Sequence, residues 1–335
     1  MLSQEPFEEF SMISIIAVTY NSRPEIERFL LSLSHILNEF PLEAETRIWD
    51  NASSDGTTEY LRSSEKDLEA LRISLHLSPK NVGLSRALNL EIAQSEGEWI
   101  LLCNPDVEFS RDVPRLFEFG SSHPEYGVIP DMKNPDGTPQ RSINRRFPSF
   151  VRIFFEYTSL GVYFSRLIPF IRDDYKYSHR QFTSPTPIEQ PGASFLLLHR
   201  KTLDKLSDQG KFLDESFPVF WNDVDMAMRA RTRGVQFVLL PQVRIQHGFG
   251  HSVKKINREK LLTLFFGSHG LIGFATKWRM HSRTIQMLFF LDSIFAVSLG
   301  FLGHPARRRR GGNLGSSGLS SMLRWRIMKF WCSLH

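Results

Sequence analysis

Ile13-Ser14-Ile15-Ile16-Ala17-Val18-Thr19-Tyr20-Asn21-Ser22-Arg23-Pro24 sets a β-branched apolar run against a polar break and a proline. Ile13 to Val18 reads as a buried strand, because short continuous apolar runs bounded by turn residues suit a sheet covered on both faces. Pro24 fits a first helical position, and Ile26, Phe29, Leu30, Leu33 and Leu37 then recur at helical spacing. The alternation continues outward. A second strand around Arg47 to Trp49 ends in Asp50-Asn51-Ala52-Ser53-Ser54-Asp55-Gly56, a dense loop signal, with Thr57 to Leu61 starting the next helix. Ile73 to Leu77 is a third strand, and Leu84, Ala87, Leu88 and Ile92 form the stripe of another helix. Trp99 to Cys103 is a fourth strand, stopping at Asn104-Pro105-Asp106. Strands alternating with helices predict an α/β fold with a mostly parallel central sheet and flanking helices. Ligands bind beyond the carboxyl ends of such strands, and the three polar clusters all fall there, so they predict one site.

The chain has 335 residues, enough for one large domain or a domain with an appendage. Its net charge of +5 is modest and sits largely at Arg307 to Arg310 and in the tail beyond, which gives no ground for a nucleic-acid partner. Cys103 and Cys332 lie far apart in unlike contexts. They argue against a disulfide scaffold or a cysteine-ligated metal and fit a reducing compartment. Met1 to Phe10 is acidic and lacks a secretory n-region and h-region, so a cytoplasmic location is expected.

The pattern changes after Phe109. Asn134-Pro135-Asp136-Gly137 signals a hairpin turn, followed by Arg141, Arg145 and Arg146. Phe150 to Ile171 is rich in aromatics and reads as a helical insertion. Gly192 to Leu198 reads as a strand, Phe212 to Arg233 as an acidic segment leading into a helix, and Phe237 to Leu240 and Val243 to Gln246 as closing strands. Met287 to Phe301 is strongly apolar but holds Asp292 and is shorter than the roughly 20 residues that a span needs. A central carboxylate costs about 2.5 to 3.5 kcal/mol on insertion scales, which favours an interfacial or re-entrant segment. Met322 to Phe330 sets Leu323, Ile327 and Phe330 against Arg324, Arg326 and Lys329, a pattern suited to an anionic membrane surface; a disordered basic tail is the plainer reading.

Several of these stretches resemble glycosyltransferase family 2 in order along the chain. Ser14 to Asn21 looks like its opening strand, Asp50 to Thr57 like its second signature, and Asn81-Val82-Gly83 like a third. Asn104-Pro105-Asp106-Val107 resembles the form that its Asp-X-Asp motif takes in the rhamnosyltransferase-like branch. Phe212-Leu213-Asp214-Glu215, Asn222-Asp223-Val224-Asp225 with Arg229, and His247 are similar to the acceptor-side segment and the late histidine. The ordered set runs from about Ser14 to Ser252.

The resemblance implies a GT-A type nucleotide-diphospho-sugar transferase fold over residues 1–255, with a donor half at 11–110 and an acceptor half at 111–255. A helical, basic, membrane-associating region at 256–335 follows. It implies an inverting, single-displacement transfer of a sugar from a nucleoside-diphosphate donor. Thr19, Asn21, Asp50, Asp55 and Asn104 are the expected donor-binding residues, with Asp50 on the nucleobase; Asp55 also reads as a cap on the following helix. Asp106 and His247 are the expected ligands of Mg2+ or Mn2+, hard cations that suit a leaving diphosphate. A loop turn without metal is the alternative at Asp106, and a structural histidine at His247.

Asp223 is the expected general base, and Asp225 the competing candidate, although its place at a helix start is favoured by the dipole alone. Trp221, Asn222, Arg145 and Arg146 are expected on the acceptor side, with a core tryptophan and a solvated hairpin as alternatives. The branch suggests dTDP-rhamnose as donor, with UDP-sugars open. It also suggests a lipid-linked saccharide or polysaccharide acceptor in cell-surface polysaccharide biosynthesis, peripherally at the inner face of the cell membrane. A catalytically silent membrane-associated binding subunit is the rival, kept alive by Asn104 and Asn222 where the family carries carboxylates. No Gly-X-Gly-X-X-Gly follows the first strand, which disfavours a dinucleotide-binding protein.

Overall fold

A computed structural model describes residues 11–40, 42–67, 71–140, 143–165, 175–177, 180–248 and 270–301. The N-terminal alternation runs β1 (Ile13–Thr19), α1 (Arg23–Glu39), β2 (Ala44–Asp50), α2 (Thr57–Asp67), β3 (Ile73–Leu77), α3 (Leu84–Gln94) and β4 (Trp99–Cys103). It continues through β5 (Val107–Glu108), α4 (Val113–Ser122), β6 (Tyr126–Lys133), α5 (Phe150–Tyr157), α6 (Ser159–Ser165), β7 (Thr186–Ile188) and β8 (Phe195–His199). Then come α7 (Arg200–Leu206), α8 (Asn222–Thr232), β9 (Gln236–His247) and α9 (Ser282–Phe301).

The nine strands form one sheet in the order β3-β2-β1-β4-β8-β6-β9-β5, with β7 on β9. β1, β2, β3 and β4 are mutually parallel. β8 runs antiparallel to β4 and β6, while β6 and β9 are parallel, so the second half of the sheet is mixed. Every residue of β1, β4 and β8 is buried, the physical meaning of their unbroken apolar runs. β3, at the sheet edge, alternates half-buried and exposed residues instead. Ile26, Phe29, Leu30, Leu33 and Ile36 of α1 pack with Ile13, Ile15 and Ala17 of β1 and with Leu101 of β4 in the main core. The chain winds outward from β1 to β3 and then returns to β4 on the other side of β1. That reversal opens a crevice beyond the ends of β1 and β4, where α/β sheets hold ligands.

Two features differ from the sequence reading. Tyr126–Lys133 is a strand that the sequence reading did not assign, and it contains Pro130. Pro130 sits where the β6–β9 ladder loses register: Pro130 pairs with Leu240 but Asp131 with Arg244, so residues 241–243 bulge from β9. For the same reason the two expected closing strands are one continuous strand that carries Pro241 through the bulge. The 134–137 turn is present, with the Gly137 amide donating to the Asn134 carbonyl at 2.8 Å and Gly137 at φ 80°.

The chain divides into two compact units, Met1–Arg146 with Arg180–Ser252 and Phe147–His179 with Val253–His335. The sheet belongs to the first. In the second, Asp292 of α9 is buried and accepts a hydrogen bond from the Leu160 amide of α6 at 3.1 Å. The carboxylate in the apolar segment therefore has a helix-end partner. Met287 and Leu291 on the opposite side of α9 are more than half exposed, at 59% and 53%. Among the described residues, no helix is long and apolar enough to cross a membrane. The Arg307 to Arg310 and Met322 to Phe330 segments lie outside the described residues.

Candidate active site

The first polar cluster forms where β1 and β2 end side by side, with Thr19 paired to Asp50 in the parallel register. Asp50 is buried and both of its carboxylate oxygens are occupied. Oδ1 accepts from Thr19 Oγ1 at 2.8 Å and Ser53 Oγ at 2.5 Å; Oδ2 accepts from the Ser53 amide at 3.0 Å and Thr58 Oγ1 at 3.0 Å. Asn21, in the left-handed region at φ 49°, takes the Ser54 amide on its Oδ1 at 2.8 Å and donates its own amide to Ser53 Oγ at 2.8 Å. Asp55 accepts from the amides of Arg23 at 3.2 Å and Thr57 at 3.1 Å, joining the starts of α1 and α2. Partial burial acts to raise its pKa, but the bonds from Thr57 and Arg23 outweigh it and hold the carboxyl below the usual range. Four expected donor residues thus lock two loops into one wall. The cap role foreseen for Asp55 is observed.

Asn51 is a member of this wall that the sequence reading did not single out. Its Oδ1 accepts from Trp49 Nε1 at 3.1 Å and from the Val82 amide at 3.0 Å, tying Asp50 to Thr57 to the Asn81-Val82-Gly83 turn. Gly83 at φ 85° lets the chain pass Pro218, whose Cβ would lie 3.0 Å from a Cβ added there. The Pro218 carbonyl accepts from the Leu84 amide at 2.7 Å, docking the segment before α8 on the start of α3.

The second cluster lies beyond β4. Asp106 Oδ1 faces His247 Nε2 at 3.3 Å, and Asn104 Nδ2 lies 3.4 Å from the same nitrogen while donating to Ser194 Oγ at 3.1 Å. The β5–β9 pairing, Val107 opposite His247, makes this meeting possible across 140 residues of chain. Among the described residues no three His, Cys, Asp or Glu side chains gather around one point. Asp106 and His247 are nonetheless two oxygen and nitrogen donors converging on one place, and their 3.3 Å separation suits neighbouring ligands of a small divalent cation. Magnesium and manganese commonly take only one or two protein ligands and fill the rest with water and substrate phosphates. The residues present therefore fit such an ion.

The third cluster surrounds the start of α8. Trp221 takes a left-handed conformation at φ 72° and is buried. Asn222 is also buried; its Nδ2 donates to Ser85 Oγ at 2.9 Å and its Oδ1 accepts from the Asp223 amide at 2.7 Å. Asp225 is fully buried and accepts from Arg229 Nε at 3.1 Å, while Arg229 Nη2 donates to the Phe212 carbonyl at 2.6 Å. Asp223, by contrast, is half-buried. Its Oδ1 accepts from the Val224 amide at 2.8 Å, with Gln190 and the Arg145 guanidinium beside it. Desolvation outweighs Arg145 and these hydrogen bonds and pushes the Asp223 carboxyl above the usual aspartate range. Arg145 reaches this cluster because its backbone exchanges two hydrogen bonds with Gln190, at 2.9 and 3.0 Å. Arg146 pairs instead with Glu189 at 3.1 Å.

Residues 14–186, just over half of the chain, match the family model described as glycosyl transferase family 2. The chain belongs to glycosyltransferase family 2. This glycosyltransferase is 29% identical over 258 residues to an N-acetylglucosaminyl-diphospho-decaprenol L-rhamnosyltransferase of Mycobacterium tuberculosis, covering 72% of this chain and 77% of that one. Its fold is similar to that of mannosyltransferase PcManGT from Pyrobaculum calidifontis in complex with GDP-Man and Mn2+. The TM-score is 0.55 at 15% identity, over 98% of this chain and 88% of the other. GalNAc-T7 with UDP, GalNAc and Mn2+ is similar with a TM-score of 0.51 at 13% identity, over 72% and 44% of the two chains. These likenesses establish the GT-A type fold for the family 2 glycosyltransferase described here.

Proposed function

We propose that this glycosyltransferase transfers L-rhamnose from dTDP-rhamnose, with inversion, to a lipid-linked saccharide at the inner face of the cell membrane. The rhamnosyl group and the lipid-linked acceptor are carried over from the mycobacterial relative, whose name states rhamnosyl transfer to a diphospho-decaprenol-linked sugar. dTDP as its carrier rests on the resemblance of Asn104 to Val107 to the rhamnosyltransferase-like branch. Thr19, Asn21, Asp50 and Asp55 form the nucleoside wall. Asn104 borders the diphosphate, and Asp106 with His247 would hold Mg2+ or Mn2+, which when bound neutralises charge on the departing diphosphate. Two fold neighbours, PcManGT and GalNAc-T7, hold Mn2+ in their complexes, which supports that assignment.

Asp223 carries the chemical step. Its carboxylate takes the proton from the acceptor hydroxyl while that oxygen attacks the anomeric carbon. The bond from that carbon to the donor diphosphate breaks on the opposite face, and nucleoside diphosphate leaves. The observation behind this choice is the contrast at the start of α8. Asp225 is fully buried against Arg229, whereas Asp223 is half-buried with a raised pKa, as a base needs. Arg145, beside Asp223, is suited to the acceptor diphosphate. The outward Met287 and Leu291 stripe and the basic chain end support a peripheral seat on an anionic leaflet. The direct test is nucleoside diphosphate release from dTDP-rhamnose with a polyprenyl-diphosphate-linked N-acetylglucosamine. Turnover only with UDP-sugars would reassign the donor.

A further inference from the structure

Gln140 lies outside every motif above, yet it makes three hydrogen bonds at the second cluster and is buried, with 6% of its surface exposed. Its Nε2 donates to the His247 carbonyl at 2.8 Å and to Asn134 Oδ1 at 3.0 Å. A backbone carbonyl only accepts, so this bond fixes which end of the Gln140 amide is nitrogen. Its Oε1 then faces His247 Nδ1 at 2.7 Å. An amide oxygen cannot donate, so the proton of that contact sits on Nδ1. The neutral imidazole must carry its lone pair on Nε2, the nitrogen facing Asp106 Oδ1 at 3.3 Å and Asn104 Nδ2 at 3.4 Å.

We propose that Gln140 is a positioning residue that holds His247 as the Nδ1–H tautomer, so that the Nε2 lone pair and the Asp106 carboxylate converge as ligands of a divalent cation. The purpose of that convergence rests on the cation site proposed above; the tautomer itself does not. A ligating histidine needs its second nitrogen held by an acceptor, which fixes ring orientation and raises ligand basicity. Gln140 meets that need from an unexpected place. The Asn134 to Gly137 turn, bridged by Lys133 and Pro139, brings it back over the end of β9. The Asn134-Pro135-Asp136 turn, which repeats the tripeptide of Asn104-Pro105-Asp106, thus acts as a support for it.

The test uses the full-length protein with isotope-labelled histidine and two variants. Gln140→Glu retains an acceptor for Nδ1–H but loses both donors; Gln140→Met is close in shape and offers only a weak thioether acceptor. In mildly alkaline buffer without metal, two-bond 15N–1H spectra should show His247 protonated at Nδ1 in wild type and Gln140→Glu. The ring should shift toward the Nε2–H form in Gln140→Met. An Nε2–H pattern in wild type, readable even if Gln140→Met does not fold, overturns the proposal. So does an unchanged ring in a folded Gln140→Met.

Free Mn2+ measured by electron paramagnetic resonance, with dTDP or UDP present, gives the second readout. Gln140→Met should bind Mn2+ about 10- to 100-fold more weakly, as loss of an outer-shell partner does, with Gln140→Glu near wild type. Equal weakening in both variants would mean that Gln140 is only a structural latch. Wild-type protein with the Nδ1–H ring but no Mn2+ binding would support the tautomer assignment while removing the cation reading.

Discussion

Asp223 and Asp225 stand two residues apart at the start of α8, yet their surroundings give them opposite uses. Arg229 reaches Asp225 from the next helical turn, whereas Asp223 lies where desolvation dominates. Asp223→Asn should lower turnover by about 10²- to 10⁴-fold with little change in nucleotide affinity, read by steady-state kinetics beside calorimetric binding. A raised carboxyl pKa means that the folded protein keeps a proton that the unfolded chain has released. Stability contributed at this site therefore falls as pH rises from the unfolded value through the folded one. Two consequences follow for measurement. The acid limb of the wild-type kcat/KM profile should lie above the ordinary aspartate range, and melting curves across pH should show Asp223→Asn gaining on wild type as pH rises. Asp50 makes the complementary case, because all four of its hydrogen bonds come from donors. Asp50→Asn turns an amide donor toward them and should cost about 1–3 kcal/mol in urea unfolding. At this scale the sequence revealed the residues with charge and motif spacing, Asp50, Asp106, Asp223 and His247. It hid Asn51 and Gln140, whose roles come from contacts 31 and 107 residues away.

At the scale of elements, the four parallel strands were legible because β1 and β4 are apolar runs and all four end in a polar loop. β6 was not, because Pro130 breaks the local strand signal and only the β9 bulge explains how the ladder accommodates it. The element junctions carry their own predictions. Gly97 passes so close to β1 that an added Cβ would lie 2.5 Å from the Ser14 amide nitrogen, and its own amide donates to Ser14 Oγ at 2.8 Å. Gly97→Ala should destabilise the sheet by about 1–3 kcal/mol, measured by denaturant unfolding. Unchanged stability would mean that the α3–β4 connection moves freely. The Asp225–Arg229 pair fixes α8 to the Leu206 and Phe212 carbonyls. Arg229→Met removes the charged partner of the buried Asp225 carboxylate and should cost about 3–5 kcal/mol.

For the whole molecule, the ordered motifs carried both the family and the fold, since a GT-A sheet places its loops at one edge. Composition and periodicity did not show which residues would form the second compact unit, because 147–179 precedes part of the first unit in sequence. Partition to the membrane belongs to this scale. Deleting residues 322–335 should reduce co-sedimentation with anionic vesicles while donor hydrolysis persists, and undiminished sedimentation would place the membrane contact elsewhere.

The central claim, transfer of a sugar from a nucleoside-diphosphate donor by a cation-assisted site, is tested most directly by nucleoside diphosphate release across a panel of dTDP- and UDP-sugars. Each donor is assayed with manganese, magnesium or chelator, in the presence of lipid-linked acceptor. The account predicts release from dTDP-rhamnose that chelator abolishes, manganese or magnesium restores, and Asp223→Asn removes. Silence across the panel with folded protein, or release indifferent to both chelator and Asp223, would contradict it.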